Sequence, residues 1–188
     1  MYQKIYKVLF IIIFCLAVLF ISKPIYFYTK LYFISYLLND SWNSYKKYGI
    51  KKYSWLSVDC NGKLKIPNIF LDHIIINNSN GRGLEFGVEI FSINSMLYEK
   101  NKNIVLAAHR DTFFKKLENI SIYDEVVIEH IEGETIYEVE NTYIIDPQES
   151  DFSKILEVND LFLITCFPFD YIGDAPKRFV VQCKLKNI

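Results

Sequence analysis

An unbroken apolar run from Val8 to Ile21, fourteen residues long, limits what the start of this chain can become. Lys4 and Lys7 precede it and Lys23-Pro24 follow it. A bilayer span needs about 20 residues. Starting at Ile5 and letting Lys7 and Lys23 reach toward the headgroups brings the segment close enough to cross. A basic leader and a short apolar stretch also suit a cleaved signal peptide. The residues after the run, Ile21-Ser22-Lys23-Pro24, offer no small-x-small cleavage site, so an uncleaved signal anchor is the expectation. The flanking lysines speak against a buried core helix.

Charge divides the chain at about the same place. The 188 residues carry a formal charge of −1, which by itself suggests no nucleic-acid partner. Residues 1–58 hold eight lysines against one acid, Asp40, giving +7, while residues 59–188 hold 13 basic and 21 acidic groups, giving −8. The first part suits an anionic membrane surface and the second an aqueous one. Lysines lie on both sides of the apolar run, so the positive-inside count does not orient it. Aromatic residues make up 16% of the chain, which argues against disorder, and the length suits one domain with an addition.

Residues 25–48 read as an aromatic-rich helix without internal Gly or Pro, ended by Gly49. Tyr26, Phe27, Tyr28, Tyr32, Phe33, Tyr36 and Trp42 suit either a headgroup boundary or packing on the following domain. From Asp59 onward the pattern changes to short runs of period-two alternation rich in β-branched residues. The expected strands are Lys63–Ile66, Ile69–Ile76, Asn103–Ala108, Glu125–Ile131, Thr135–Ile145, Leu161–Cys166 and Arg178–Leu185. A hairpin turn is expected at Glu132-Gly133, and short helices over Val88–Tyr98 and Asp151–Glu157. Many short strands in about 130 residues predict a closed or nearly closed antiparallel barrel.

Four scattered cysteines make no disulfide framework. Cys15 lies in the apolar run, Cys60 in an expected turn, and Cys183 on the apolar face of its strand with Phe179, Val181 and Leu185. Cys166 differs, because it closes a strand and opens into Phe167-Pro168, so it is held firmly yet reachable. Against 18 lysines there are three arginines, Arg82, Arg110 and Arg178. Arg178 begins the strand after Cys166, and a hairpin pairing would make the two cross-strand neighbours. A guanidinium beside a thiol can hold an oxyanion or orient a peptide carbonyl; the bland alternative is an ion pair with Asp170 or Asp174. Of the histidines, His73 reads as a core residue and His130 as part of a solvated strand. His109 ends a strand behind two alanines and is the natural acid/base partner for a cysteine. Asp111 orients His109 or caps the turn. Histidine and cysteine are too few and too scattered for a metal site, and no cofactor is expected.

These residues resemble the sortases, the cysteine transpeptidases of Gram-positive cell surfaces. The resemblance lies in Ala108-His109-Arg110-Asp111-Thr112-Phe113-Phe114, Leu163-Ile164-Thr165-Cys166 and Ala175-Pro176-Lys177-Arg178-Phe179-Val180-Val181, with Gly62–Pro67 matching the opening strand. It covers roughly residues 59–188, and the segment from Cys166 to Arg178 looks most like class D. Ala108 stands where a glycine is common, and Phe162 precedes Leu163 where a threonine often does.

The resemblance implies an eight-stranded sortase β-barrel with short helices, preceded by a transmembrane helix. Its parts would be an anchor at 1–24, a helical stem at 25–58 and a catalytic domain at 59–188. It implies a cell-membrane, single-pass protein with an extracytoplasmic catalytic domain. Cys166 would attack a Leu-Pro-x-Thr-Gly or Leu-Pro-x-Thr-Ala signal after Thr, Arg178 would hold the oxyanion, and His109 would move the protons. Thr165, Ile164, Leu106 and Phe167 are candidates for substrate contact. The implied partners are secreted proteins carrying a C-terminal sorting signal, a peptidoglycan precursor or cross-bridge amine, and the membrane. A cysteine endopeptidase with water as acceptor, and a tethered binding module without activity, are the alternatives.

Overall fold

One α-helix, α1 (Tyr2–Tyr48), carries the apolar run and the aromatic segment without a break, Pro24 lying inside it. The computed structural model describes residues 2–56, 58–77, 83–91, 97, 103–148 and 160–186. Gly49 ends the helix as the sequence indicates: its φ is +68° and its N–H donates to the Tyr45 carbonyl at 2.8 Å. This left-handed cap is one that glycine adopts without steric cost. Through residue 30 the described side chains of α1 are exposed. The helix is long and apolar enough to cross a membrane.

Beyond residue 30 the helix packs on the barrel. Ile34, Leu38 and Trp42 form an apolar cluster with Cys60, Ile74 and Ile76. The Trp42 Nε1–H donates to Glu129 at 2.6 Å, and Lys46 and Lys65 pair with the same carboxylate at 2.5 and 2.7 Å. Burial alone would raise the pKa of Glu129, but these three donors outweigh it and bring it down to about 2. Of the two roles open to the aromatic segment, Trp42 thus takes packing, while Tyr26, Phe27 and Tyr28 are exposed.

The strands are β1 (Asp59–Ile66), β2 (Leu71–Asn77), β3 (Val88–Ile90), β4 (Ile104–Ala107), β5 (Glu125–His130), β6 (Gly133–Ile145), β7 (Leu161–Phe167) and β8 (Lys177–Leu185). They close into an eight-stranded barrel in the order β1-β2-β3-β4-β7-β8-β6-β5. Pairs β2/β3 and β4/β7 are parallel and the other pairs antiparallel. Closure gives each of the eight strands two neighbours. The alternating inward residues, among them Leu64, Ile66, Ile75, Leu106, Ile128, Leu163 and Val181, fill the interior.

Several expectations are corrected. Val88–Tyr98 does not start as a helix: Val88–Ile90 is a strand parallel to β2 and antiparallel to β4. Three residues are too short a run for a period to be read, and the strand forms because the barrel needs it between its neighbours. The expected helix over 151–157 lies outside the described residues. Cys60 is not in a turn but in β1, where a register shift between Cys60 and Gly62 leaves a bulge. A Cβ at Gly62 would stand 2.5 Å from the Glu129 carbonyl oxygen, so the strands approach there as only glycine permits. The β5–β6 turn is Ile131-Glu132, with His130 paired to Gly133. His130 is buried rather than solvated, its Nε2 lying 2.9 Å from the Thr135 hydroxyl.

Candidate active site

The parallel pairing of β4 and β7 sets Ala107 opposite Ile164, so both strands reach the same rim of the barrel together. Two residues past each of these, the chain presents His109 and Cys166. The rim is fixed by two bonds across the pair. The Ala108 N–H donates to the Ile164 carbonyl at 3.3 Å, and the Thr165 hydroxyl donates to the Ala108 carbonyl at 2.8 Å. On the other side of β7, Arg178 of β8 stands directly opposite Cys166, the cross-strand relation expected of a hairpin.

His109, Cys166 and Arg178 line one open groove of about 580 Å³. Its apolar wall is made by Leu84, Phe91, Val105, Pro147 and Ile164. His109 is exposed, and Cys166 and Arg178 are half-buried, so solvent and a peptide can both reach the three. The Arg178 Nη1 donates to the carbonyls of Ala175 and Lys177 at 3.0 and 2.9 Å. The anticipated alternative partner Asp170 pairs instead with Lys115 at 2.7 Å. A thiol, an imidazole and a guanidinium around one apolar groove provide a nucleophile, a proton carrier and an anion holder.

The loop from β7 to β8 begins with a cis Phe167–Pro168 peptide. Arg110 ties it to the histidine loop, its Nη2 donating to the carbonyls of Tyr171 and Gly173 at 2.6 and 2.8 Å. In the sequence Arg110 stands inside the motif around His109 with nothing to mark a role of its own beyond its scarcity, as one of three arginines. The sequence likewise does not mark Leu84 and Phe91 as groove wall, because they flank β3, which is too short to show a period.

The proposed substrate-contact residues divide. Ile164 and Thr165 line the groove, although the Thr165 side chain is buried and its hydroxyl is committed to Ala108. Leu106 points into the barrel core and is fully buried, because inward and outward residues alternate along β4. Phe167 packs with Phe169 and Phe179, at ring separations of 6.0 and 6.4 Å, rather than in the groove.

Burial separates Cys60 and Cys183 from Cys166. It pushes the Cys60 thiol up to about 11 and raises that of Cys183 further still. His73 is likewise kept from charging: burial beside Phe113, edge to face at 5.3 Å, lowers its pKa to about 4. A second cavity, of about 410 Å³, adjoins the first at His109 and is walled by Phe27, Lys30 and Leu31 of α1 with Asp111 and Phe113.

Residues 64–186 match the sortase domain family model. Sortase D of Bacillus subtilis (strain 168) is 34% identical over 124 residues, covering 65% of this chain and 62% of that protein. The chain thus spans a little under two thirds of that relative's length. Among solved structures, the complex of Streptococcus agalactiae sortase C1 and MTSET superposes with a TM-score of 0.59 at 26% identity, over 68% of this chain and 67% of that one. A Clostridium perfringens sortase D5 transpeptidase superposes with a TM-score of 0.58 at 21% identity, over 69% and 80% respectively, a likeness of fold.

Proposed function

The chain belongs to the sortase family, and from that premise we propose that it is a membrane-anchored cysteine transpeptidase of class D type. In this reading α1 through residue 24 anchors the protein, residues 25–58 form a stem, and residues 59–188 act outside the membrane on sorting-signal proteins. The observation that carries it is the meeting of His109, Cys166 and Arg178 in one groove at the barrel rim.

The chemistry follows from the three groups. The Cys166 thiol gives its proton to His109 as its sulfur attacks the threonine carbonyl carbon of a Leu-Pro-x-Thr-Gly or Leu-Pro-x-Thr-Ala signal, and the carbonyl oxygen takes the negative charge. Arg178, already oriented by its bonds to Ala175 and Lys177, supplies its remaining N–H donors to that oxyanion. As the C–N bond breaks, His109 gives a proton to the departing amine and a thioester remains on Cys166. A cell-wall amine then attacks the thioester and loses a proton to His109. The new amide leaves as the C–S bond breaks, and His109 returns its proton to the Cys166 sulfur. Ile164 and the apolar wall would receive the leucine and proline of the signal, while Thr165 positions the histidine loop.

Incubation of the full chain with a sorting-signal peptide and triglycine tests this reading. The expected result is a ligated product that Cys166→Ala does not form while keeping its fold. Cleavage without ligation would favour an endopeptidase that uses water. Unchanged cleavage by the variant would remove Cys166 from the chemistry.

A further inference from the structure

The placement of α1 on the barrel determines which end of the barrel faces the bilayer. The span begins at Ile5, and about 20 residues carry it to Pro24. Phe27, Lys30 and Leu31, which follow on the same unbroken helix, line a cavity together with His109 and Phe113. At about 1.5 Å per residue, the His109 loop therefore lies only about 5–10 Å beyond the hydrocarbon edge. A headgroup layer is about that deep. Farther along, Trp42 and Lys46 meet Glu129 near the opposite end of the barrel, so the helix runs from the active-site rim downward.

The loops of that rim carry large apolar side chains in water-exposed positions. Phe70 precedes β2, Tyr123 precedes β5 and Ile172 lies between β7 and β8. They are 83%, 77% and 96% exposed. Phe70 and Tyr123 have φ of +52° and +72°, a backbone state that side chains of this size adopt rarely. Asn68 and Asp124, which share a 2.6 Å hydrogen bond, hold these two loops side by side. Lysines and acids are mixed on this rim, with Lys115 bound to Asp170 and Glu118, so a basic field does not account for it. Apolar tips at headgroup depth, aromatic ones included, do what interfacial side chains do elsewhere.

We propose that the active-site end of the barrel rests on the bilayer, with Phe70, Tyr123 and Ile172 seated among the lipid headgroups. The proposal rests on α1 spanning the membrane. The groove then opens at the membrane surface rather than away from it.

The test uses the full chain in phosphatidylcholine nanodiscs, comparing plain lipids with lipids brominated near the headgroup and, for the residue within the span, near the acyl-chain ends. Phe70→Trp, Tyr123→Trp and Ile172→Trp each add one reporter to wild-type emission. Ile131→Trp marks the far β5–β6 turn, and Leu16→Trp marks the span. The expected result is quenching of the added emission at 70, 123, 172 and 16, and none at 131. Quenching at 16 alone would overturn the docking while leaving the span intact. No quenching at 16 would overturn both, and equal quenching at 131 would overturn the orientation.

Discussion

The Thr165 hydroxyl donates to the carbonyl of Ala108 across 2.8 Å, tying the strand that carries Cys166 to the residue before His109. In the proposed mechanism this bond positions His109 relative to Cys166. Thr165→Val keeps the volume and removes the donor, leaving a buried carbonyl unpaired. We expect kcat for peptide cleavage to fall by about 10- to 100-fold, since small misplacements of reacting groups cost that much. Thr165→Ser should retain most of the activity. A Thr165→Val enzyme as active as the wild type would remove the bond from the mechanism.

Arg110 links the histidine loop to the β7–β8 loop through the carbonyls of Tyr171 and Gly173. Arg110→Met keeps the stem and loses both bonds. The expected outcome is a higher KM for the sorting peptide and increased proteolytic nicking within residues 168–176, with the melting temperature changed by only a few degrees. Unaltered KM and nicking would show that the loop holds its shape without Arg110.

The cysteines outside the membrane segment should differ sharply toward thiol reagents. Cys60 and Cys183 are buried and their thiols held neutral at pH 7, whereas Cys166 opens into the groove. Peptide mapping after brief treatment of the native chain with a charged methanethiosulfonate should find the label on Cys166, with Cys60 and Cys183 labelled only after denaturation. Native labelling of Cys183 would contradict the packing described here.

His73 gives the fold an acid-sensitive limb. Its folded pKa of about 4 lies below the unfolded value of about 6.5, so the unfolded chain takes up the proton first. Stability should therefore fall as pH drops from about 6.5 toward 4, and His73 should contribute no pH dependence above 7. Glu129, near 2 when folded, adds a second loss between the usual carboxylate range and pH 2. Denaturant titrations of wild type and His73→Gln across pH 4–7 should show a shallower slope for the variant. Parallel curves would place the acid sensitivity elsewhere.

Trp42 is 1% exposed and joins α1 to the barrel through its ring and its bond to Glu129. Trp42→Ala should cost about 3–5 kcal/mol of stability, the range for removing a buried aromatic. Trp42→Phe, which loses chiefly the bond, should cost about 1.5–3 kcal/mol. Thermal unfolding of the full chain in detergent checks both. Equal stability of all three would mean that the helix is not part of the folded unit.

The site was more legible in the sequence than the frame around it. The meeting of Cys166, Arg178 and His109 at one rim was readable because Cys166 and His109 follow short apolar runs with β-branched residues, Arg178 opens the next strand, and arginine is scarce. β3 was not legible: with three residues and a buried Glu89 in the middle, it has no period of its own and forms through its neighbours. The bulge at Asn61 depends on the approach of Gly62 to Glu129, and the bond between Trp42 and Glu129 crosses 87 positions. Such partners are set by closure of the barrel, and local pattern carries no trace of them. The role of Leu106 was misjudged for a related reason, since which face of β4 meets the groove follows from the register with β7.

The central claim is that Cys166 carries the acyl group between two amines. Rapid quenching of the full chain with a sorting-signal peptide in acid, followed by mass spectrometry of the digest, reads this directly. We predict a thioester adduct of the peptide's N-terminal fragment, ending in threonine, on the fragment containing Cys166, discharged on addition of triglycine. Turnover with no adduct on Cys166, or with one on another residue, would contradict it.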